Sequence, residues 1–356
     1  MKFKSALFCS CLALGLIGAP VHAADSGTAA VKTYLVTQVE KMNGSAHDFV
    51  TNAAAYNKII QANGGDYNKA AINNGAELLS LVAKMQSDYK GLHMNGYETV
   101  EGIAAGVKEL VKYDIYFDSG VPSSEATTDN PSAPINLRTA SGEVIDENNG
   151  NIFHYVIEQC LWGANKDLVV KLSPEAAAKL HNFVVLPRAD VLVASSIDTA
   201  AKADQFLADC KAWQPTLDEC VGALVWMTPT FNTYYDDLKD SLYDPSGKYV
   251  SESRVLDMRG IMGSLQLVYN AIRPQLEAKD PALAAQLKRE YDGIMAHVDE
   301  TDRLDKTARA AGKKLSKAEI DELAEQAKHM SDQLAPQLEQ VATILGLKLP
   351  PKPFLA

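Results

Sequence analysis

Arg254-Val-Leu-Asp-Met-Arg-Gly-Ile-Met-Gly-Ser-Leu-Gln-Leu-Val-Tyr-Asn-Ala-Ile272 carries the reading of the fold. Positions 254, 257, 261, 265, 268 and 272 advance by three or four residues, the repeat of one face of an α-helix. Ile261, Leu265, Val268 and Ile272 make that face apolar. Arg254 and Asp257 continue it, so both should point inward near one helix end. A buried guanidinium keeps its proton and needs an anionic partner. Two partners fit: Asp257 itself, or a bound anion or metal cluster.

The same repeat extends in both directions. Val31, Tyr34, Leu35, Val39 and Met42 mark a helix within 28–62. Leu78, Leu79, Leu81, Val82 and Met85 mark one within 67–92, and Val100, Ala104, Val107 and Val111 one within 97–113. The segment 151–163 is short and almost wholly apolar. Further helices are predicted at 195–212, 216–243, 251–278, 280–299 and 316–346. Ser173-Pro and Asp280-Pro281 read as helix starts, and Ser316 with Glu319 as a capping box. Pro274 and Pro336 should kink or break their helices. Asp302–Lys317 is strongly charged and reads as a solvated turn or frayed end. From Asp118 to Gly150 the helical pattern lapses into Ser, Pro, Asn, Asp and Gly. Within it, 135–146 alternates around Ala140-Ser-Gly142 as a small β-hairpin. The predicted class is all-α: two packed helical halves of the four-helix-bundle kind, 24–190 and 191–356, with the hairpin inserted in the first.

Composition agrees. Of 356 residues, 47% are hydrophobic and 22% charged, and Gly and Pro number 22 and 15, which fits neither a collagen-like nor a broadly disordered chain. Lys2 and Lys4, an apolar stretch from Ala6 to about Ala19, and Val21-His22-Ala23 read as a secretory leader cleaved after Ala23. The expected location is therefore the periplasm. No later run is apolar enough to span a membrane. The net charge is −11, and losing the two lysines makes it more negative, which argues against nucleic acid as a partner. Cys9 and Cys11 leave with the leader. Of the three remaining cysteines, Cys210 and Cys220 flank a predicted turn and are the expected disulfide, with Cys160 as core packing.

Polar residues on core faces need a partner. His154 and Glu158 lie four apart in Asn151-Ile-Phe-His-Tyr-Val-Ile-Glu-Gln-Cys-Leu-Trp-Gly163 and can chelate one ion, or simply bond each other. Tyr97 and Glu101 repeat that spacing, beside a smooth surface of Gly102, Ala104, Ala105 and Gly106; the plain alternative is a solvated Glu101. Tyr234 and Tyr235 follow Pro229 and could supply a phenolate or merely pack. Together these offer carboxylates, phenols and at most one imidazole, a hard donor set. The chain has no His-Glu-x-x-His, no Gly-Lys-Ser/Thr phosphate loop, no Gly-x-Ser-x-Gly elbow and no Cys-x-x-Cys.

Several stretches, taken in order, resemble the phytotransferrin branch of iron-assimilating proteins. They are Tyr97-Glu-x-Val-Glu-Gly-Ile-x-Ala-Gly-Val107, Tyr113-Asp-Ile-Tyr-Phe-Asp-Ser-Gly120, Glu158-x-x-Leu-Trp-Gly163, Trp213-Gln-Pro-Thr216, Ser253-Arg-Val-Leu-Asp257 and Leu265-Gln-Leu-Val-Tyr269. Arg273-Pro, Lys279-Asp-Pro-Ala-Leu283 and Val341-Ala-x-x-Leu-Gly-Leu347 are similar to EfeO-type periplasmic iron-uptake proteins. Both belong to the wider imelysin-like group. The resemblance implies two related helical bundles with a metal site in the cleft between them. It also implies capture of Fe³⁺, with a synergistic carbonate in the phytotransferrin branch, and delivery to an inner-membrane iron permease. Carried over by position, the metal residues would be Glu101, Glu158 and Asp257, joined by Tyr97 and His154, with Arg254 holding the anion. The imelysin motif Gly-x-His-x-x-Glu is one residue shorter than His154–Glu158. Aligned on Glu158 it selects Tyr155, so either His154 is not a ligand or the site uses Tyr155 with carboxylates. The competing functions are an imelysin-type metallopeptidase, which needs an open coordination position and a general base, and a haem-binding protein with His154 or a tyrosine as axial ligand. Another divalent metal in place of iron is also open.

Overall fold

The computed structural model describes residues 22–128, 131–133, 135, 137–145, 150–243, 249–251 and 254–353. Residues 1–21 of the expected leader and Asn136 and Asp146 of the expected hairpin lie outside them.

The long helix α1 (His22–Ala62) buries Val31, Leu35, Val39, Met42, Ala46, Phe49, Ala53, Tyr56 and Ile60, the stripe its sequence announces. The Asp66 carboxylate caps α2 (Tyr67–Leu92) by accepting from the amides of Asn68 and Lys69. Then come two short helices, α3 (Glu98–Ala104) and α4 (Val111–Asp114), where one continuous helix over 97–113 is predicted. The hairpin forms, with β1 (Leu137–Arg138) antiparallel to β2 (Val144–Ile145). It leads to α5 (Glu158–Trp162). A second small ladder, β3 (Val169–Lys171) with β4 (Val185–Pro187), brackets α6 (Pro174–Lys179), which starts at a Ser173 cap. This second ladder is not legible in the sequence because α6 separates its two strands, so no hairpin turn joins them.

The remaining helices are α7 (Ala189–Ala212), α8 (Leu217–Met227), α9 (Tyr234–Tyr243), α10 (Val255–Glu277), α11 (Pro281–Ala310) and α12 (Lys317–Leu345). The capping box Ser316–Glu319 and the Asp280 cap are both present. Pro274 and Pro336 lie inside their helices without breaking them. Pro274 sits in the last turn, where few hydrogen bonds remain to be lost. The charged stretch from Asp302 is also helical as far as Ala310, held by the (i, i+4) pairs Lys306–Asp302 and Arg309–Asp305 at 2.7 Å each.

Helices α1 and α2 pack together, and α7 packs along α1. Helices α8 to α12 pack on one another, and α10 also contacts α3 and α1, so the two groups share one buried core. The helix that opens the second half of the sequence, α7, thus sits beside the first helix. The smooth surface predicted near Glu101 serves close approach. A Cβ on Gly102 would stand 3.0 Å from the Ile261 carbonyl oxygen of α10, and one on Gly106 would stand 2.6 Å from Ala223 of α8.

The expected disulfide is a correction. Cys210 in α7 and Cys220 in α8 are free and buried, as is Cys160. Each thiol packs into the core face of its own helix. The turn between them is held instead by the Thr216–Glu219 capping box and by Trp213 Nε1 donating to Glu219 Oε1 at 3.3 Å. Burial pushes the thiols of Cys160 and Cys220 up to about 12.

Candidate metal centre

Three π-helical turns interrupt the helices around one spot: His93–Tyr97, Ile115–Ser119 and Phe153–Ile157. In each, an amide reaches back five residues: Glu98 to His93, Gly120 to Ile115 and Glu158 to Phe153. Such turns hold one residue more than an α turn and cluster at functional sites. Each of the three carries a polar side chain into the core: His93, Asp118 and His154.

Asp118 is the hub. Its Oδ1 lies 2.6 Å from His154 Nε2 and 3.0 Å from His93 Nε2. His93 Nε2 also lies 2.6 Å from Glu98 Oε1, off the hydrogen-bonding direction. The rings of His93 and His154 meet edge to face, with centroids 4.9 Å apart. Asn151 fixes this corner. Its amide donates to the carbonyls of Asp118 and Gly120, and its Oδ1 accepts from the His154 amide at 2.8 Å. Three groups of ligand atoms lie within 4.8 Å of one another: His93, Asp118 and His154; His93, Glu98 and Asp257; Glu98, Glu101 and Asp118.

Of the residues predicted from sequence, Glu101, Asp257 and His154 come together here. Glu158 is adjacent, but its four contacts are filled. Oε2 takes the Tyr89 hydroxyl at 3.0 Å and His154 Nδ1 at 2.6 Å, and Oε1 takes the amides of Val250 and Ser251 at 2.8 and 2.5 Å. Tyr97 is buried and donates to Asp114 Oδ1 at 2.7 Å. Tyr155 lies against Gly150, outside these groups. His154, and not Tyr155, lies among these groups and meets Glu158 four residues on. Arg254 pairs with Asp257 Oδ2 at 3.0 Å through Nη1, which is also 3.4 Å from His154 Nε2, and its guanidinium stacks on Tyr249 at 4.4 Å. Its Nε has no hydrogen-bond partner.

Sequence reading missed His93, Glu98 and Asp118. His93 stands four residues before Tyr97 and eight before Glu101, so it extends a face already singled out. Glu98 joins that face only because of the π turn, which a 3.6-residue repeat does not anticipate. Asp118 looked like the first residue of a loop.

The electrostatics follow from burial. Burial raises Glu98 and Glu101 well above the ordinary carboxylate range, and for Glu101 the neighbouring Glu98 adds to it. Burial also raises Asp257, with Arg254 and His93 opposing. Burial works the same way on Asp118, but the charge and hydrogen bond of His154, with those of His93, outweigh it and hold Asp118 well below the usual range. Burial disfavours the charged form of His93, yet Asp257 and Asp118 raise it. Glu158 is held at about 2: burial opposes this, and His154, Arg254 and the Ser251 amide prevail. In this cluster, Glu98 Oε2, Glu101 Oε2 and Asp257 Oδ1 are buried with neither a hydrogen bond nor an ion pair, while Glu98 Oε1 and Asp257 Oδ2 meet only His93 and Arg254 as ion pairs. Leaving such atoms unmet in an interior is costly. A cation among them removes that cost, and carboxylate with imidazole suits a hard or borderline ion. A cleft of about 490 Å³ reaches Glu101 and Asp118 from outside, lined also by Asp114, Tyr234, Asp236 and Asp237.

Glu158 thus acts as the orienting partner of an imidazole, an arrangement that usually supports 10–100-fold in metal affinity. Glu158→Gln should weaken metal binding by about that factor. It should also cost on the order of 3 kcal/mol at neutral pH, from a shift of roughly two pKa units. The group's folded pKa is depressed, so its contribution is present above the unfolded value and is lost as pH falls toward about 2. Urea unfolding of both proteins should show the gap closing on acidification.

No helix among the described residues is long and apolar enough to cross a membrane. Comparison with curated proteins returns no match. The imelysin family model (peptidase M75) matches residues 154–330, a span that opens at His154 and takes in Glu158, Arg254 and Asp257. His93, Glu98, Glu101 and Asp118 precede it. With about half the chain matched, and one side of the metal centre inside that match, the chain is an imelysin-like protein.

Proposed function

We propose that this chain captures ferric iron in the centre around Asp118, outside the cytoplasmic membrane, and hands it to an inner-membrane permease. The observation that carries the reading is the cluster of buried carboxylates of Glu98, Glu101 and Asp257, with three oxygens that have no partner, beside His93 and the Asp118–His154 pair. An oxygen-rich set of that kind favours a hard cation. The family match supports a metal-related role, and the leader-like start supports the periplasm. Arg254 would hold a small anion such as carbonate. Once a cation takes Asp257, the guanidinium keeps only the more distant Asp237, at 3.9 Å, and its Nε has no hydrogen-bond partner to begin with. The acidic cleft gives a cation a favourable approach to Glu101 and Asp118.

The test is titration of the metal-stripped protein with ferric nitrilotriacetate, with and without bicarbonate, followed by absorbance and calorimetry. Saturable binding that tightens with bicarbonate is expected, with the bicarbonate effect lost in Arg254→Lys. No ferric binding under either condition rejects the reading. Peptide cleavage that chelator abolishes would replace it with metallopeptidase activity, and a Soret band on haem titration with haem binding.

A further inference from the structure

We propose that the centre holds two cations at once, bridged by the Asp118 carboxylate. This rests on the metal-binding reading above and adds a second ion to it.

The donor inventory is the first argument. Glu98, Glu101, Asp118 and Asp257 supply four carboxylates, and His93 and His154 supply two imidazoles. Helical-bundle proteins with paired carboxylate-bridged ions use that same inventory, four carboxylates and two histidines projecting inward from several helices. A single ion with bonds of about 2.1 Å has room for about six donor atoms. Four carboxylates and two imidazoles exceed that as soon as any carboxylate binds through both oxygens.

The second argument is how the ligand atoms are grouped. One triad is His93, Asp118 and His154; another is Glu98, Glu101 and Asp118; a third, His93, Glu98 and Asp257, runs between them. The first two share Asp118. Among the described residues, no triad joins His154 to Glu98, Glu101 or Asp257. Ligands of one ion lie within about twice the bond length of each other, roughly 4.2 Å. The grouping therefore describes two neighbouring positions, one nitrogen-rich and one oxygen-rich, with a common carboxylate. Paired metal sites stand about 3.5–4 Å apart, a distance one carboxylate spans.

The third argument is where the unmet polar atoms lie. The imidazole nitrogens already meet Asp118 Oδ1 at 2.6 and 3.0 Å. The oxygens of this centre with no partner, Glu98 Oε2, Glu101 Oε2 and Asp257 Oδ1, belong to residues at most 4% exposed. A lone cation between the histidines would leave Glu101 and part of Glu98 unmet. A lone cation among the glutamates would leave the histidine pair stacked against Asp118.

The experiment loads the metal-stripped full chain with ferric nitrilotriacetate in bicarbonate buffer, removes excess by desalting, and measures iron per chain together with the ferric EPR signal. Two irons per chain are expected, with the EPR signal of the first ion disappearing as the second binds, because a bridging carboxylate couples the two spins. Glu101→Gln and His154→Gln should each lower the stoichiometry to one and restore the signal of an isolated ferric ion. Circular dichroism checks that each variant is folded, and where one is not, the wild-type stoichiometry and EPR decide alone. One iron in the wild type overturns the paired centre and leaves ferric capture standing. Two irons with uncoupled signals also overturn the bridge. No iron overturns both.

Discussion

Gly260→Ala should destabilise the metal-free protein by about 1–3 kcal/mol, the usual cost of forcing a methyl group into filled space, and should weaken ferric binding at the same time. Gly260 lies in α10, where alanine would ordinarily help a helix by roughly 1 kcal/mol. The neighbour decides otherwise. A Cβ at this position would stand 2.8 Å from the carbonyl carbon and oxygen of Glu98 and 3.0 Å from the Thr99 amide nitrogen. These are backbone atoms of α3, so no rotamer change relieves the clash, and α3 must move away. Glu98 and Glu101 move with it, while Asp257, three residues before Gly260, stays on α10. Gly293→Ala in α11 is the control, since nothing lies within 4 Å of the added methyl. That variant should gain up to about 1 kcal/mol by propensity alone and bind iron as before. Urea unfolding and ferric titration of both variants measure the two effects. A Gly260→Ala protein as stable and as tight-binding as the parent would remove close α3–α10 contact as the support of the site.

The fold and the site were legible to different degrees for physical reasons. Apolar stripes at three- and four-residue steps record burial directly, so α1, α2, α10 and α12 were readable, as were the caps at Ser173, Asp280 and Ser316. The (i, i+4) spacing of His154 and Glu158 located one side of the centre. It did not tell a ligand from its orienting partner, because that depends on what fills the second oxygen, and the amides of Val250 and Ser251 come from ninety residues away. Asp118 and Glu98 were hidden for another reason. π turns shift a helical face by one residue, so a side chain that faces the core no longer falls on the stripe. Cys210 and Cys220 misled because spacing and compartment suggest a bridge without fixing where the two Sγ atoms point.

The three π turns also explain how a helical core carries so many charges. An unbroken α-helix presents like positions every three or four residues and would spread His93, Glu98 and Glu101 around more of its circumference. The added residue in His93–Tyr97 brings His93 within 2.6 Å of Glu98. His154, in the turn Phe153–Ile157, bridges Glu158 and Asp118. Local departures from ideal helix geometry are sustained where surrounding packing fixes them. Here Phe117 and Phe153 stack at 5.2 Å directly behind two of the turns.

Asp114→Asn should change the pH dependence of stability more than any other substitution that leaves the ligand residues in place. Asp114 is 1% exposed and receives the Tyr97 hydroxyl at 2.7 Å. Burial raises it to about 7, with the nearby Ser119 hydroxyl and Tyr97 only partly offsetting this and the charge of Asp118 adding to it. An unfolded aspartate titrates near 3.9. Between those values the folded state holds a proton that the unfolded state has released, so stability falls with rising pH. The contribution is complete below about pH 4 and is lost as pH passes about 7. A raised value of this size corresponds to roughly 2–4 kcal/mol, allowing for coupling to Asp118 and Glu101. Asparagine keeps the acceptor for Tyr97 and cannot ionise. The difference in unfolding free energy between Asp114→Asn and the parent, both metal-free, should therefore grow in favour of the variant from pH 4 to pH 7 and then level off. Taking the difference cancels the similar trends of Glu98 and Glu101, which burial also raises. A difference that stays flat over that range would mean that Asp114 is ionised in the folded protein at low pH, with Tyr97 and Ser119 solvating it well enough to overcome its burial.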